Sequence, residues 1–144
     1  MKAMLVGKTG CGKTTLTQRL YNQSVVYSKT QMVSYENDVI DTPGEYIENK
    51  FYMKALNVTA TGADIIVLLQ SSLDEDTLFP PNFSTMFLGK EVIGVVTKLD
   101  LNPDYKLAQK YLENAGATEI FYIGFDDEKE MARLRERLGI KNES

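Results

Sequence analysis

A glycine-rich loop near the start of the chain constrains the fold more than any other feature of the sequence. The loop reads Gly7-Lys8-Thr9-Gly10-Cys11-Gly12-Lys13-Thr14 and fits the pattern Gly-x-x-x-x-Gly-Lys-Ser/Thr. An apolar segment, Ala3 to Val6, precedes it, and a helix-like segment starting at about Gly12 follows it. This order of strand, loop and helix is the context that a phosphate-binding P-loop requires, so the sequence favours a P-loop domain over an ordinary glycine-rich turn.

The residues of this loop suit a polyphosphate that is bound together with Mg²⁺. Glycines allow successive backbone N–H groups to point at one centre, and the N-terminus of the following helix adds positive potential. We expect Lys13 to reach the outer phosphates and Thr14 to offer its hydroxyl to Mg²⁺. The predicted nucleotide contacts in this segment are Gly7, Lys8, Thr9, Gly10, Cys11, Gly12, Lys13, Thr14 and Thr15.

A second motif follows a short apolar segment. Val39-Ile40 is typical of a buried strand, and Asp41-Thr42-Pro43-Gly44 comes directly after it. Because open parallel sheets bind ligands at the carboxyl ends of their strands, we expect Asp41 to orient Mg²⁺ and Gly44 to approach a terminal phosphate. Alone, Thr-Pro-Gly is an ordinary turn sequence, and its position after a P-loop is what favours the binding interpretation.

A third motif, Thr97-Lys98-Leu99-Asp100, follows the apolar segment Val92 to Val96 and matches the Asn/Thr-Lys-x-Asp base-recognition pattern of GTPases. A carboxylate such as that of Asp100 can accept two hydrogen bonds from N1 and N2 of guanine, and adenine offers no such pattern. The stem of Lys98 can pack across the base. Thr97, Lys98 and Asp100 are therefore predicted base contacts, with GTP or GDP as the expected nucleotide and ATP as the alternative.

The alternation of apolar and helical segments predicts an α/β fold with a mainly parallel sheet flanked by helices. Ile65 to Leu69 reads as a further strand, and the 144 residues with 43% hydrophobic content suit one domain spanning residues 1–144. Further helices are expected after Glu45, around Phe83, from Asn102-Pro103 to Gly116, and after Asp126-Asp127-Glu128.

Composition excludes several classes of function. The net charge of −4 argues against nucleic acid or an anionic membrane surface as the main partner. The chain has no histidine, and its one cysteine, Cys11, rules out an internal disulfide. No apolar run is long enough to cross a bilayer, so we expect a cytoplasmic protein.

The three motifs in this order resemble the translation-factor-related GTPases. Two further sequences, Tyr27-Ser28-Lys29-Thr30-Gln31 and Asp41-Thr42-Pro43-Gly44-Glu45-Tyr46, resemble the EutP/PduV family of ethanolamine and propanediol utilisation over essentially the whole chain. The resemblance implies a small-GTPase-like domain with a shortened switch region, in a bacterial protein tied to microcompartment metabolism. It also implies that Thr30 senses the third phosphate through Mg²⁺, as a third metal contact beside Thr14 and Asp41.

Three positions depart from related GTPases. Gly10 stands where many have an Asn linked to activation by monovalent cations, so we expect no such potassium requirement. Ile123-Gly124-Phe125 replaces the Ser-Ala loop that supports guanine, which weakens the expected guanine preference. Glu45 replaces a Gln that positions the attacking water, and it is either a catalytic base or the acidic start of a helix. No arginine adjoins the motifs in sequence, so hydrolysis should be slow.

Two other functions stay open beside a slow GTPase or switch. The family resemblance implies a possible acetate kinase, which would use the same phosphate cradle but needs a second pocket for acetate. The other is an adaptor whose nucleotide site organises a surface for microcompartment shell proteins or enzymes.

Overall fold

A computed structural model describes residues 2–21, 34–36, 39–124 and 127–140. These residues form a six-stranded sheet in the order β2-β3-β1-β4-β5-β6. The pairs β1·β3, β1·β4, β4·β5 and β5·β6 are parallel, whereas β2 pairs antiparallel with β3 at one edge. The strands are β1 (Ala3–Val6), β2 (Ser34–Glu36), β3 (Val39–Asp41), β4 (Ile65–Ser71), β5 (Glu91–Thr97) and β6 (Ile120–Tyr122).

Helices cover both faces of this sheet. The α-helices are α1 (Lys13–Leu20), α2 (Glu45–Glu48), α3 (Met53–Ala60), α4 (Lys106–Ala115) and α5 (Glu128–Leu138), and short 3₁₀ helices span Lys50–Tyr52 and Phe83–Met86. None of the helices in the described ranges has both the length and the apolar composition that a membrane span needs. The predicted α/β class, with a mainly parallel sheet flanked by helices, is confirmed.

The core consists of two layers separated by the sheet. Side chains alternate along β1, so that Leu5 lies in one layer and Met4 in the other. The first layer receives α1 and α5, and the second receives α3, α4 and the phenylalanines after β4. Every residue of β4 is buried, as expected of a central strand with helices on both sides.

Two predicted helices differ from the structure. We expected a helix from Asn102-Pro103, but α4 begins at Lys106, where Asp104 Oδ1 accepts a hydrogen bond from the backbone N–H at 3.2 Å. Asn102 is instead fixed in a loop, because its side-chain amide donates to the Ser72 carbonyl at 2.9 Å. The expected helix around Phe83 is only a 3₁₀ turn. The predicted end of α4 at Gly116 is confirmed, since this glycine has φ 105°.

Candidate nucleotide site

The three sequence motifs lie at the same edge of the sheet. The glycine-rich loop follows β1, Asp41 ends β3, and Thr97 ends β5. Leu5 of β1 is in register with Asp41, and Ser71 at the end of β4 is in register with Thr97. Because these strands are adjacent and parallel, their carboxyl ends form one crevice, which is where open α/β sheets bind ligands.

The backbone of the glycine-rich loop adopts conformations that most residues avoid. Gly10 and Gly12 have φ values of 82° and 106°, in the left-handed region. A Cβ atom at Gly10 would meet nothing within 4 Å, so the backbone conformation is what requires glycine there. The loop closes with a hydrogen bond from Cys11 N to Lys8 O at 3.1 Å, and Gly12 O accepts from Leu16 N as α1 begins.

Lys13 is held inside this loop although it carries a charge. Its side chain is only 6% exposed. Its ammonium donates to the carbonyl of Gly7 at 2.7 Å and to that of Lys8 at 3.4 Å. The Cys11 sulfur also lies 4.0 Å from this ammonium. Hydrogen bonds to neutral acceptors do not cancel its positive charge, which suits the predicted contact between Lys13 and a phosphate.

Cys11 is a packing residue of the loop. Its side chain is buried against Gly7, where a Cβ atom would meet the sulfur. Burial raises the pKa of the Cys11 thiol, although the nearby ammonium of Lys13 acts in the opposite direction. A thiol with a raised pKa is a poor nucleophile, so this loop position supplies shape rather than reactivity.

The loop after β3 packs directly on the glycine-rich loop. Thr42 Oγ1 donates to the carbonyl of Leu5 at 2.7 Å. A Cβ atom at Gly44 would collide with the backbone nitrogen and the hydroxyl of Thr9, so only glycine allows this approach. Asp41 is 8% exposed and contributes a negative potential at Cys11. The loop thus brings a buried carboxylate beside the phosphate loop.

These residues fit Mg²⁺ as a partner of bound phosphates. The described residues contain no group of three or more Cys, Asp or Glu side chains that would hold a metal alone. Mg²⁺ is commonly held by one or two carboxylates together with phosphate and water oxygens. Asp41 at the end of β3 and the hydroxyl of Thr14 at the start of α1 provide such a partial donor set.

Glu48 reaches the glycine-rich loop, and the sequence analysis missed it. This last residue of α2 accepts a hydrogen bond from the backbone N–H of Thr9 at 2.8 Å and one from the Thr9 hydroxyl at 3.4 Å. A carboxylate therefore accepts a hydrogen bond from a backbone amide of the glycine-rich loop. Glu45, the acid predicted from the sequence to act in this region, is the first residue of α2. The sequence signal that was available for Glu48 is its position one helical turn after Glu45, where a helix was predicted to start.

A pocket beside the loop contains the third motif. Its cavity volume is about 220 Å³, and Lys98 and Asp100 line it. Gly124 closes one side, and a Cβ atom there would lie 2.8 Å from the backbone nitrogen of Asp100. The full lining is Gly12, Thr15, Leu16, Arg19, Thr97, Lys98, Asp100, Leu101, Ile123 and Gly124.

Two side chains of the third motif also bind the glycine-rich loop. Thr97 is 4% exposed, and its hydroxyl donates to the carbonyl of Cys11 at 2.6 Å. The ammonium of Lys98 donates to the carbonyl of Gly10. Lys98 itself has φ 63°, a left-handed conformation that only an over-determined loop holds in a residue other than glycine. Thr97 therefore fixes the loop, and Asp100 and Lys98 remain the candidate base contacts.

A comparison of the sequence with models of protein families identifies the family of this chain. A model of the family described as ethanolamine utilisation and propanediol utilisation, PduV-EutP, matches residues 1–140. The chain belongs to the PduV-EutP family. The resemblance inferred from the sequence motifs is thereby confirmed.

Curated relatives cover most of this PduV-EutP chain. Propanediol utilization protein PduV of Citrobacter freundii is 40% identical over 84% of this chain and 81% of its own length. A protein named probable acetate kinase EutP, from Escherichia coli strain K12, is 30% identical over 90% of this chain and 83% of its own length. The first relative is named for propanediol utilisation, in agreement with the description of the family model.

A solved structure supports the fold. The structure of Methanosarcina barkeri Roco2 RocCORdC bound to GDP superposes with a TM-score of 0.63 and 18% sequence identity. The match covers 96% of this chain but only 47% of the Roco2 chain, so the PduV-EutP protein spans about half of that structure. The match supports the α/β fold that the sequence predicts.

Part of the predicted site lies outside the described residues. These positions include Thr30, the predicted switch threonine, with the whole of Tyr27 to Gln31, and Phe125 of the loop after β6. The roles assigned to Lys13, Thr14, Asp41, Gly44 and Asp100 stay predictions, although the structure brings all of them to one edge of the sheet.

Proposed function

We propose that this PduV-EutP protein binds GTP or GDP with Mg²⁺ and acts as a slow GTPase or switch in microcompartment metabolism. One observation carries the proposal: a pocket containing Asp100 opens directly beside the glycine-rich loop that holds Lys13. A nucleotide needs a phosphate site with a base site beside it, and the three motifs contain candidate residues for both. The GDP in the Roco2 structure is consistent with such a site on this fold.

Each residue has a distinct role in the proposed reaction. Amides of the glycine-rich loop and Lys13 hold the phosphates in place, and phosphoryl transfer depends mostly on this positioning and on charge neutralisation. Mg²⁺, held by Asp41 and Thr14 and completed by Thr30, would neutralise charge on the terminal phosphates. Glu45 either orients the attacking water as a base or only starts α2, with its acid favoured there by the helix dipole.

The proposed rate is low for a structural reason. Arg19 is the arginine nearest to the loop in sequence, and its guanidinium donates to Gly124 O at 2.9 Å and binds Asp127. Arg133 pairs with Glu130, and Arg137 pairs with Glu91 and Glu119, so both of these guanidinium groups are engaged away from the loop. An arginine directed at the transferring phosphate accelerates related reactions by roughly 10³ to 10⁵, so hydrolysis here would need a partner to supply one.

Phosphoryl transfer to acetate is the second candidate, and the name of the Escherichia coli relative favours it. The pocket next to Lys8 has a cavity volume of only about 10 Å³, which holds about one water molecule and is too small for acetate. In addition, Asp74 and Asp76 line this pocket, and Asp74 already pairs with Lys8 at 3.2 Å. Two carboxylates disfavour an acetate anion, so this function ranks below the switch.

Calorimetry with GTP, GDP and ATP in Mg²⁺ tests the proposal, with phosphate release measured with and without acetate. We expect GTP and GDP to bind more tightly than ATP, with slow phosphate release that acetate leaves unchanged. Formation of acetyl phosphate from ATP and acetate would instead establish the kinase. An adaptor role predicts that microcompartment shell proteins or enzymes bind the GTP and GDP forms with different affinity.

A further inference from the structure

The pocket lined by Lys98 and Asp100, which we call the base pocket, is also lined by a charged side chain from outside the three motifs. Arg19 lies on α1, on the same face as Thr15 one turn earlier, and both residues border the space that contains Asp100. Its side chain is 20% exposed, so it is partly withdrawn from water. Nothing in the three motifs accounts for a guanidinium at this position.

Asp127 fixes this guanidinium. One Arg19 nitrogen lies 3.2 Å from Asp127 Oδ2, and the other pairs with Asp127 Oδ1. The carboxylate also accepts the backbone N–H of Gly124 at 2.6 Å, while the Gly124 carbonyl accepts from Arg19 at 2.9 Å. Arg19, Asp127 and Gly124 form a closed ring of hydrogen bonds, which we call the Arg19 ring. The ring raises the pKa of Arg19 chiefly through its bonds to Asp127, so the cation is permanent.

The same ring occupies backbone donors of the loop after β6. Ile123 N donates to Val96 O at 2.8 Å within the sheet, and Gly124 N donates to Asp127. Neither of these two amides is therefore directed at a base in the pocket. Arg19 is the cationic donor that borders the pocket from α1, at the side where Gly124 closes it.

Purines differ at the edge that such a donor would meet. Guanine presents two acceptors, O6 and N7, and arginine binds this pair of atoms readily. Adenine presents an amino group in place of O6, and arginine has no acceptor for it. A fixed guanidinium thus attracts a 6-oxopurine and opposes a 6-aminopurine.

We propose that Arg19, held by Asp127, determines base specificity in this pocket by donating from Nε–H and the second Nη2–H, which its bonds to Asp127 and Gly124 do not use, to the O6 and N7 edge of a 6-oxopurine nucleotide. Asp100 accepts from N1 and N2, so the two residues read different edges of one base. This inference rests on the proposed nucleotide site and narrows its substrate class to GTP, GDP and their inosine counterparts.

The test compares affinities for GTP, ITP and ATP in Mg²⁺ by calorimetry, for the full chain and its Arg19→Met variant. Since ITP keeps O6 and N7 but lacks the 2-amino group, it isolates the edge that Arg19 reads. We expect Arg19→Met to weaken GTP and ITP by about tenfold, in line with one lost base contact, and to leave ATP within about twofold. Arg133→Met is the matched control, because Arg133 is on α5, half exposed, and outside the pocket lining.

Asp127→Asn provides an independent measurement, since it leaves Arg19 in place but removes the charge that orients it. We expect GTP and ITP to weaken in the same direction, with a smaller change than for Arg19→Met. If Arg19→Met does not fold, Arg19→Lys replaces it, and the loss of the planar fork should still weaken GTP and ITP relative to ATP.

Two results would overturn the inference while the nucleotide site itself stands. An equal loss for GTP, ITP and ATP would mean that Arg19 only supports the fold, and unchanged affinities for all three would mean that Arg19 does not contact the base. Failure of the original chain to bind any of the three nucleotides would instead remove the proposed function, and the inference with it.

Discussion

The phosphate end and the base end of the candidate site are built in different ways. The phosphate end is one continuous segment whose backbone conformation, with Gly10 and Gly12 in the left-handed region, creates the binding surface. The base end is assembled by side chains from distant segments, for example Arg19 and Asp127, which are 108 positions apart. A surface made of backbone depends on local sequence, whereas a surface made of distant side chains depends on the whole fold.

The largest effect is expected at the phosphate end. Lys13→Ala removes a buried ammonium from the glycine-rich loop and should weaken GTP by about a hundredfold or more, since charged hydrogen bonds to phosphate contribute about 1.5–3 kcal/mol each. GDP should weaken less, because it lacks the outermost phosphate. Calorimetry measures both affinities, and Lys110→Ala on α4, an exposed lysine, is the control. Undiminished GTP affinity, with the circular dichroism of the folded chain, would refute the phosphate site.

Asp100→Ala tests the base end. Loss of the carboxylate should weaken GTP by about thirtyfold and leave ATP unchanged, because adenine cannot donate from both N1 and the 2-position. The GTP to ATP affinity ratio is the readout. Asp104→Ala is the matched control, since Asp104 is an exposed acid in the next loop and caps α4. A ratio that survives Asp100→Ala would show that the base is read elsewhere.

Glu48→Gln tests whether a side chain outside the glycine-rich loop also affects the phosphate end. Glu48 lies on α2 and borders that end of the site. Glu48 holds the amide of Thr9, and its negative charge opposes a third phosphate. We expect GTP to bind about fivefold more tightly in the variant, while GDP changes less. Glu113→Gln on α4 serves as the control, because it removes an exposed acid far along the chain from the loop. Equal gains for GTP and GDP would contradict a role at the third phosphate.

The smallest effect concerns the pH dependence of stability. Burial raises the pKa of the Cys11 thiol above its ordinary value of 9.0, so the unfolded chain releases this proton at lower pH than the folded chain does. The thiol is neutral in both states below that value and contributes no pH dependence there. As pH rises through the ordinary value, the unfolded state gains by ionising, and folding stability falls.

Cys11→Ala should remove this part of the alkaline loss. The measurement is urea unfolding of the original chain and the variant from pH 7 to about pH 10, compared as the slope of stability against pH. Identical slopes for the two proteins would show that the thiol does not titrate on unfolding.

Much of the fold could be predicted because local patterns decide it. The apolar runs predicted β1, β3, β4 and β5, and the motifs that follow β1, β3 and β5 lie at one edge of the sheet, as expected for strand ends in a parallel sheet. The buried stripe of Met131, Leu134 and Leu138 was likewise visible as helical periodicity and is confirmed in α5. In each case the signal and the structure involve the same few consecutive residues.

The features that were missed depend on distant partners. Strand β2 is short and polar in sequence, and it exists through its antiparallel pairing with β3. Asn102 looked like a helix cap, but Ser72, 30 positions earlier, binds its side chain. No arginine adjoins the three motifs in sequence, yet the fold brings Arg19 to the pocket that Asp100 lines. Contacts between residues that are distant in sequence cannot be predicted from the local sequence around either residue.

The hydrogen bonds from Thr97 and Lys98 to the carbonyls of Cys11 and Gly10 make the end of β5 a brace for the glycine-rich loop. A nucleotide base that displaced Lys98 would release one side of that brace, and the curvature of the phosphate cradle would respond. The identity of the bound base would therefore change the affinity for the phosphates without the movement of a domain. Substitutions of Thr97 and Lys98 that alter the base preference would therefore alter the affinity for phosphate at the same time.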